Sequence, residues 1–503
     1  MDKQQIIENL KKIVKPEQIL TDPEDLYVYS FEKIFEKQNP KPDMIIKTLS
    51  PEKPKEILEL AEKENFTVIK RGERISHQSI RKLLVLLDDV SAPELKRIPV
   101  KRAEITKILK EIREKGHGTV RNLALALKTL FLEKNLAKCE ECKTCSGYCT
   151  VAPSFQGVET WSSKGRILTM IGIQNKELPI SKKVADILYT CTECGLCFAQ
   201  CFEDLEVNEA ILATRHQIAK KGLAPEIFHE TAKNITKFGD PGAVSAQRRL
   251  SWIENLSFQP LPEKADVLYW VGCMVAERTP KTAKALFKIL NRAHVNFTML
   301  GEKEGCCGYV LLTTGLWDEA KKAAKDVLSK IEKTGVNALV TPCAGCYYTF
   351  KKLYPEILGV SLPCEILHSS QFIENLINNK KLEFKSLNLK VSYHDPCSLG
   401  RHSGVFEAPR NLLKAIPDLT LVEMPLNRQL SRCCGGGGGL WSFNHQVSMN
   451  SAYLRLKDFQ PLKVDMLTTA CPLCQMNFRY TSARKSVPAK TCDITEMVEL
   501  ALV

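Results

Sequence analysis

The first 138 residues contain no cysteine, although twenty follow. A secreted disulfide scaffold would explain that number but not the grouping, because nearly all of them fall into tight clusters. In a chain without export signals such clusters read as metal sites. Long apolar runs are missing too. LLVLL at 83–87 is far short of a membrane span. The start, MDKQQIIENLKKIVK, is amphipathic and lacks the apolar core and small-residue cleavage site of a signal peptide. The expected location is cytoplasmic, with any membrane association made through a partner subunit. Basic tails and arginine-rich arms are absent, so no nucleic acid is expected as a partner. The formal charge of +13 falls once thiolates bind metal, and what remains suits an acidic partner or an anionic substrate.

The length of 503 residues, 44% of them apolar, is enough for two to four domains. The expected fold class is multi-domain, α/β and α. Residues 1–125 form a small α/β unit: PDMIIKTL (42–49) and TVIKRG (67–72) read as strands, and KPKEILELAEKENF (53–66) between them as a helix. AEITKILKEIREKG (103–116) and NLALALKTLFLEKN (122–135) read as helices leading to the first cysteines. Residues 126–260 form a helical, ferredoxin-like module. Two copies of one α/β domain follow, at 261–385 and 386–503.

The module carries C-EE-C-KT-C-SGY-C (Cys139, Cys142, Cys145, Cys149) and C-TE-C-GL-C-FAQ-C (Cys191, Cys194, Cys197, Cys201). Two-residue gaps let three thiolates point inward from one loop and hold three corners of a cubane, while the fourth cysteine reaches the other cluster. One [4Fe–4S] cubane is expected on Cys139, Cys142, Cys145 and Cys201, and a second on Cys191, Cys194, Cys197 and Cys149. Structural zinc also uses CxxC pairs, but this order repeated twice is much more specific to cubanes. Pro153 is displaced, and Phe202 stands where bacterial ferredoxins place proline.

The duplication shows in matched segments. VLYWVGC (267–273) pairs with KVSYHDPC (390–397), EGCCG (304–308) with SRCCG (431–435), and ALVTPCAGC (338–346) with MLTTACPLC (466–474), at offsets of 124, 127 and 128 residues. Each copy supplies five cysteines: Cys273, Cys306, Cys307, Cys343 and Cys346, then Cys397, Cys433, Cys434, Cys471 and Cys474. Five thiolates are one too many for an ordinary cubane. The second pair opens CCGGGGG (433–439), a run whose ordering costs backbone entropy and is understandable where backbones approach closely. Gly308 alone follows the first pair, with Tyr309 next, so the two sites are not chemically equivalent. Cys364 and Cys492 fall outside both sets and read as buried bystanders.

These ten cysteines, with YHDPCSLGRHSGVFEAPR (393–410) and CCGGGGG, resemble the CCG-domain family. That family includes the B and D subunits of heterodisulfide reductase, the iron–sulfur subunits of glycolate and lactate oxidases, and the K subunit of the dissimilatory sulfite reductase complex. The resemblance covers about 135–500, and the order of parts looks most like the D subunit, a fusion of the C and B subunits. It implies two noncubane [4Fe–4S] clusters, one per five-cysteine set, facing a pocket in which a disulfide is split reductively, or thiols are oxidised in reverse. The oxidase subunits keep related motifs yet only transfer electrons. The alternative is therefore an electron-transfer subunit of a lactate- or glycolate-type 2-hydroxy-acid dehydrogenase complex.

His394, three positions before Cys397, is a candidate proton donor to a departing thiolate. Arg401 is a candidate for attracting an anionic substrate or for pinning a cluster environment. Residues 25–73 resemble the opening of the FAD domain of D-lactate and glycolate dehydrogenases, but RGERISHQS (71–79) stands where a pyrophosphate loop would need glycines and backbone amides. No flavin is expected in this chain, and the block reads as a docking unit. Electrons must then come from a redox partner: a flavoprotein, a cytochrome b-type membrane subunit or a hydrogenase-like module.

Overall fold

A computed structural model describes residues 3–30, 42–48, 53–64, 66–70, 84–89, 144–201, 207–254, 256 and 264–503. Cys139, Cys142, the two helices expected within 103–135 and the RGERISHQS segment lie outside these residues. The chain divides into two compact units: Met1–Leu188 with Gln200–Ile211, and Tyr189–Ala199 with Leu212–Val503.

The first unit contains a sheet of β1 (Ile19–Leu20), β2 (Met44–Thr48), β3 (Thr67–Lys70) and β4 (Leu84–Asp89), in the order β1-β2-β4-β3. β1 is antiparallel to β2, and the other pairings are parallel. The expected strand–helix–strand is present, with helix Lys53–Glu64 between β2 and β3. Its Ile57 and Ala61, one helical turn apart, enter a core with Ile6, Leu10, Met44, Ile46 and Phe66. Polar ties join this block to the helices that follow the first cysteines. Buried Lys47 donates to the Gly157 carbonyl at 2.9 Å, and the Thr160 hydroxyl donates to Asp25 at 2.5 Å. Helix Ser163–Gln174 starts at Ser162, whose side chain caps Gly165 N–H, and it is buried on nearly every face.

The second unit contains the duplication. One sheet is built from β5 (Val267–Tyr269), β6 (Phe297–Thr298), β7 (Ala338–Thr341) and β8 (Glu365–His368); the other from β9 (Leu389–His394), β10 (Leu419–Leu421), β11 (Met466–Thr469) and β12 (Thr491–Asp493). The orders are β6-β5-β7-β8 and β10-β9-β11-β12. Every pairing is parallel, so each copy is a small open sheet wound with crossover helices. His368 and Asp493 end the corresponding edge strands, and each caps the helix that follows, accepting from Ser370 N–H and Thr495 N–H. In both copies the cysteines follow the carboxyl ends of strands, where open parallel sheets place their sites. Cys492 is buried inside β12, whereas Cys364, expected to be buried, is half-exposed. Among the described residues no helix is long and apolar enough to cross a membrane.

Candidate metal centres and their junction

The first set assembles because β5 delivers Cys273 to a helix start, β7 delivers Cys343 and Cys346 to another, and the loop after β6 brings Cys306 and Cys307. The thiols lie within hydrogen-bonding reach in one unbroken series: Cys273, Cys306, Cys307, Cys346, Cys343. The second set repeats the series position for position: Cys397, Cys433, Cys434, Cys474, Cys471. The Cys474 and Cys434 sulfurs are 3.0 Å apart. Backbone amides point at sulfur in both, from Gly308 to Cys306 at 3.4 Å and from Gly435 to Cys433 at 3.3 Å. All ten are free thiols, and eight of them are buried. An all-sulfur donor set with amide support suits iron–sulfur clusters. Five donors in one series exceed the four that a closed tetrahedral zinc site takes.

The surroundings differ between the copies. His394 is buried in the second. With Cys434 and Cys474 it brings three donor atoms within 4.8 Å of one another. Arg455 Nε–H donates to His394 Nδ1 at 3.2 Å, which leaves the ring proton on Nε2. Burial pulls the His394 pKa below its usual value, against an opposing pull from Cys434, so the ring is neutral. Cys434 is held well below the ordinary thiol range by its contacts with Cys433 and Cys474, with His394 adding to the effect. In the first copy Trp270 occupies the His394 position. Trp270 packs edge-on to Phe350 at 5.1 Å as His394 does to Phe478 at 4.8 Å. Asp395, next to His394, is locked by bidentate bonds from Arg410 at 2.6 and 3.0 Å.

Arg401 donates to three carbonyls: Cys194 at 2.7 Å, Gln429 at 3.2 Å and Ser431 at 2.5 Å. His402, which drew no specific role from its sequence context, bonds the Glu193 carbonyl at 2.8 Å and stacks on Tyr348 at 4.8 Å. The Cys194 thiol itself meets Cys433. The Cys191–Cys197 loop thus lies against the second set. In the other unit the Cys149 sulfur receives Arg166 at 3.6 Å, and the Cys145 carbonyl receives Ser163 at 2.7 Å; Cys201 is half-buried there.

The glycine run is explained by the same junction. A Cβ on Gly437 would come within 2.7 Å of the Thr192 oxygen, and one on Gly438 within 2.6 Å of the Cys191 oxygen. Backbone packs directly on backbone there. Buried Arg215 rivets the contact, donating to Cys191 O at 2.7 Å, Gly438 O at 3.0 Å and Thr313 O at 2.7 Å. Arg215 had no signal in the sequence, since its three partners are scattered along the chain. Tyr309 bridges the two sets. Its ring would lie 3.7 Å from a Cβ on Gly345, its hydroxyl 3.5 Å from one on Gly437, and its phenol bonds with Ser398 beside Cys397 and Cys471.

Residues 267–351 and 391–479 each match the cysteine-rich CCG domain family, and residues 113–205 match the 4Fe-4S dicluster domain family. The D subunit of dihydromethanophenazine:CoB–CoM heterodisulfide reductase from Methanosarcina acetivorans is 33% identical over 363 residues, covering 68% of this chain and 88% of that one. Its counterpart from Methanosarcina mazei is 32% identical, covering 73% and 94%. The B subunit of fumarate reductase (CoM/CoB) from Methanothermobacter marburgensis is 28% identical, covering 83% of each chain. The chain belongs to the family of the heterodisulfide reductase D subunit, as an iron–sulfur oxidoreductase with a dicluster module ahead of two CCG domains.

Proposed function

We propose that this chain is the catalytic subunit that reduces a disulfide, or oxidises two thiols in reverse. The observation that carries the reading is the pair of five-sulfur series, identical in order and joined through Tyr309. Cys273, Cys306, Cys307, Cys343 and Cys346 would hold one noncubane cluster, and Cys397, Cys433, Cys434, Cys471 and Cys474 the other. The module's eight cysteines would hold two cubanes, Cys194 belonging to the one beside the second set. When bound, these clusters supply electrons one at a time and iron sites with affinity for sulfur.

The chain's own residues position and tune. Arg401, His402 and Arg215 fix the Cys191–Cys197 loop against the second set, which favours electron uptake through that half. His394, neutral and held by Arg455, serves as a partner for Cys434 more readily than as a proton donor to substrate. Tyr309 and Ser398 present hydroxyls between the two sets, where two sulfurs released from one bond need polar contacts. A separate redox partner delivers the electrons: a flavoprotein, a cytochrome b-type membrane subunit or a hydrogenase-like module.

The test is anaerobic turnover with reduced viologen as donor and a panel of disulfides, including the CoM–CoB heterodisulfide, as acceptors. Disulfide-dependent viologen oxidation is expected. If no disulfide is reduced while electrons still pass to or from a 2-hydroxy-acid dehydrogenase, the chain is a conduit and not the catalytic subunit.

A further inference from the structure

The two family matches begin at residue 113, so the α/β block that carries β1 to β4 lies ahead of both. Its buried polar side chains show what it holds. Lys47 lies in β2, where all five residues are buried. A buried ammonium needs acceptors, and this one donates to Gly157 O at 2.9 Å. Helix Pro23–Ser30 adds two contacts to the same stretch. Glu159 N–H donates to the Tyr29 hydroxyl at 3.2 Å, and the Thr160 hydroxyl donates to Asp25 at 2.5 Å. Tyr29, Asp25 and Thr160 are all buried. Three residues of the block thus grip 157–160 from 110, 130 and 135 positions away. The same helix reaches the start of helix Lys182–Tyr189. Glu24 accepts the Ser181 hydroxyl at 2.7 Å, and Asp22 accepts Lys183 at 2.8 Å.

The grip passes on to cysteines. Glu159 is 6% exposed, and its Oε1 accepts the Ser146 and Ser162 hydroxyls, each at 2.6 Å. Ser146 follows Cys145 on helix Thr144–Tyr148. Ser163 Oγ donates to the Cys145 carbonyl at 2.7 Å. Buried Arg166 donates to Ile187 O at 2.9 Å and to Cys149 Sγ at 3.6 Å. Cys145 and Cys149 are assigned to different cubanes, so this one turn supplies ligands to both.

We infer that the N-terminal block is a positioning element for the cubanes: Lys47, Tyr29 and Asp25 hold 157–160, and Glu159 transmits that hold through Ser146 to the Cys145–Cys149 turn, keeping the turn closed to water. The inference rests on the cubane assignment in the reading above, but not on disulfide reduction.

The physical consequence is a shift in potential. Partners behind the ligands fix their orientation and control solvent access, and solvent exposure is one of the determinants of a cluster's potential. A reduced cubane carries one more negative charge than the oxidised one. Water reaching a loosened turn therefore stabilises the reduced form and raises the potential. By holding the turn closed, the block keeps the cubane potentials low.

The experiment compares the anaerobic full-length holoprotein with a Lys47→Met/Tyr29→Phe double variant and with Glu159→Gln. The double variant replaces buried side chains with apolar ones of similar size, which cores tolerate best. Glu159→Gln keeps the shape but weakens the hold on the two serines. Hydrogen exchange by mass spectrometry should show peptides covering 144–160 exchanging about tenfold faster in the double variant, the loss expected for one hydrogen bond from a charged donor. Peptides from β9 should be unchanged. Titration of the cubane EPR signals should show a higher midpoint potential in both variants, with iron content as in wild type. If the double variant fails to fold, Tyr29→Phe, which removes a single oxygen, takes its place in both measurements. Cubane potentials identical to wild type in the folded, iron-replete block variant overturn the inference, whether or not exchange is faster, because the block is then only a support. A wild type without cubane signals refutes the parent assignment and this inference with it, whereas a wild type that has them but reduces no disulfide leaves this inference to the variants.

Discussion

Replacing Arg401 with leucine should loosen the Cys191–Cys197 loop without unfolding the CCG domains. The guanidinium makes three hydrogen bonds to carbonyls, at 2.7, 3.2 and 2.5 Å. A hydrogen bond to a charged group contributes about 1.5–3 kcal/mol, and neutral ones about 1. Arg401 is part-exposed, so water replaces some of what is lost. Of the three, only the bond to Cys194 O must break for the loop to open, so about 1.4 kcal/mol, the low end for a charged donor, is at stake. At 1.4 kcal/mol per factor of ten, protection falls about tenfold. Hydrogen exchange by mass spectrometry reads this directly as faster exchange of peptides covering 190–198. Peptides from β9 and β11 should be unchanged, because their ladders do not involve Arg401. Unaltered exchange at 190–198 would show that the clamp is incidental and that the loop is held by its other contacts.

Other outcomes follow from the same geometry. Anaerobically isolated protein should contain about sixteen irons with matching acid-labile sulfide; about eight, or zinc in place of iron, would contradict two filled CCG sites. Gly438→Ala should cost about 1–3 kcal/mol, seen as a lowered Tm, because its Cβ meets Cys191 O at 2.6 Å and the residue holds φ +60°; an unchanged Tm would mean the backbones are not in contact. His394→Leu should lower the midpoint potential of one CCG centre in a redox titration and leave the cubanes alone, since polar partners of ligand sulfur raise potential. An identical titration would remove His394 from the environment of Cys434.

The sequence made local patterns legible and long-range ones illegible. Strands ending at cysteines were readable because a short β-branched run followed by a CxxC is itself a local signal, as in β7 and β11. β6 and β10 were not, at two and three residues, too short to show alternation. LLVLL at 83–87 was read only for its shortness, yet residues 84–87 lie in β4, the strand between β2 and β3. The glycine run was understood as a close approach, but its partner, the 191–192 backbone, lies about 245 residues away and leaves no mark in spacing. Arg215 was invisible for the same reason. Arg401 was found because it sits beside a motif, and its target carbonyls appear only with the fold.

The central claim is that the two five-cysteine sets make one disulfide-cleaving site and that neither works alone. It is tested most directly by anaerobic kinetics of wild type, Cys433→Ala and Cys306→Ala with reduced viologen and the disulfide that wild type reduces. Each variant should lose disulfide reduction by at least 100-fold while the cubanes still bleach with viologen, since two facing sites are needed to hold both released sulfurs. Retention of near wild-type turnover by either variant would contradict the account.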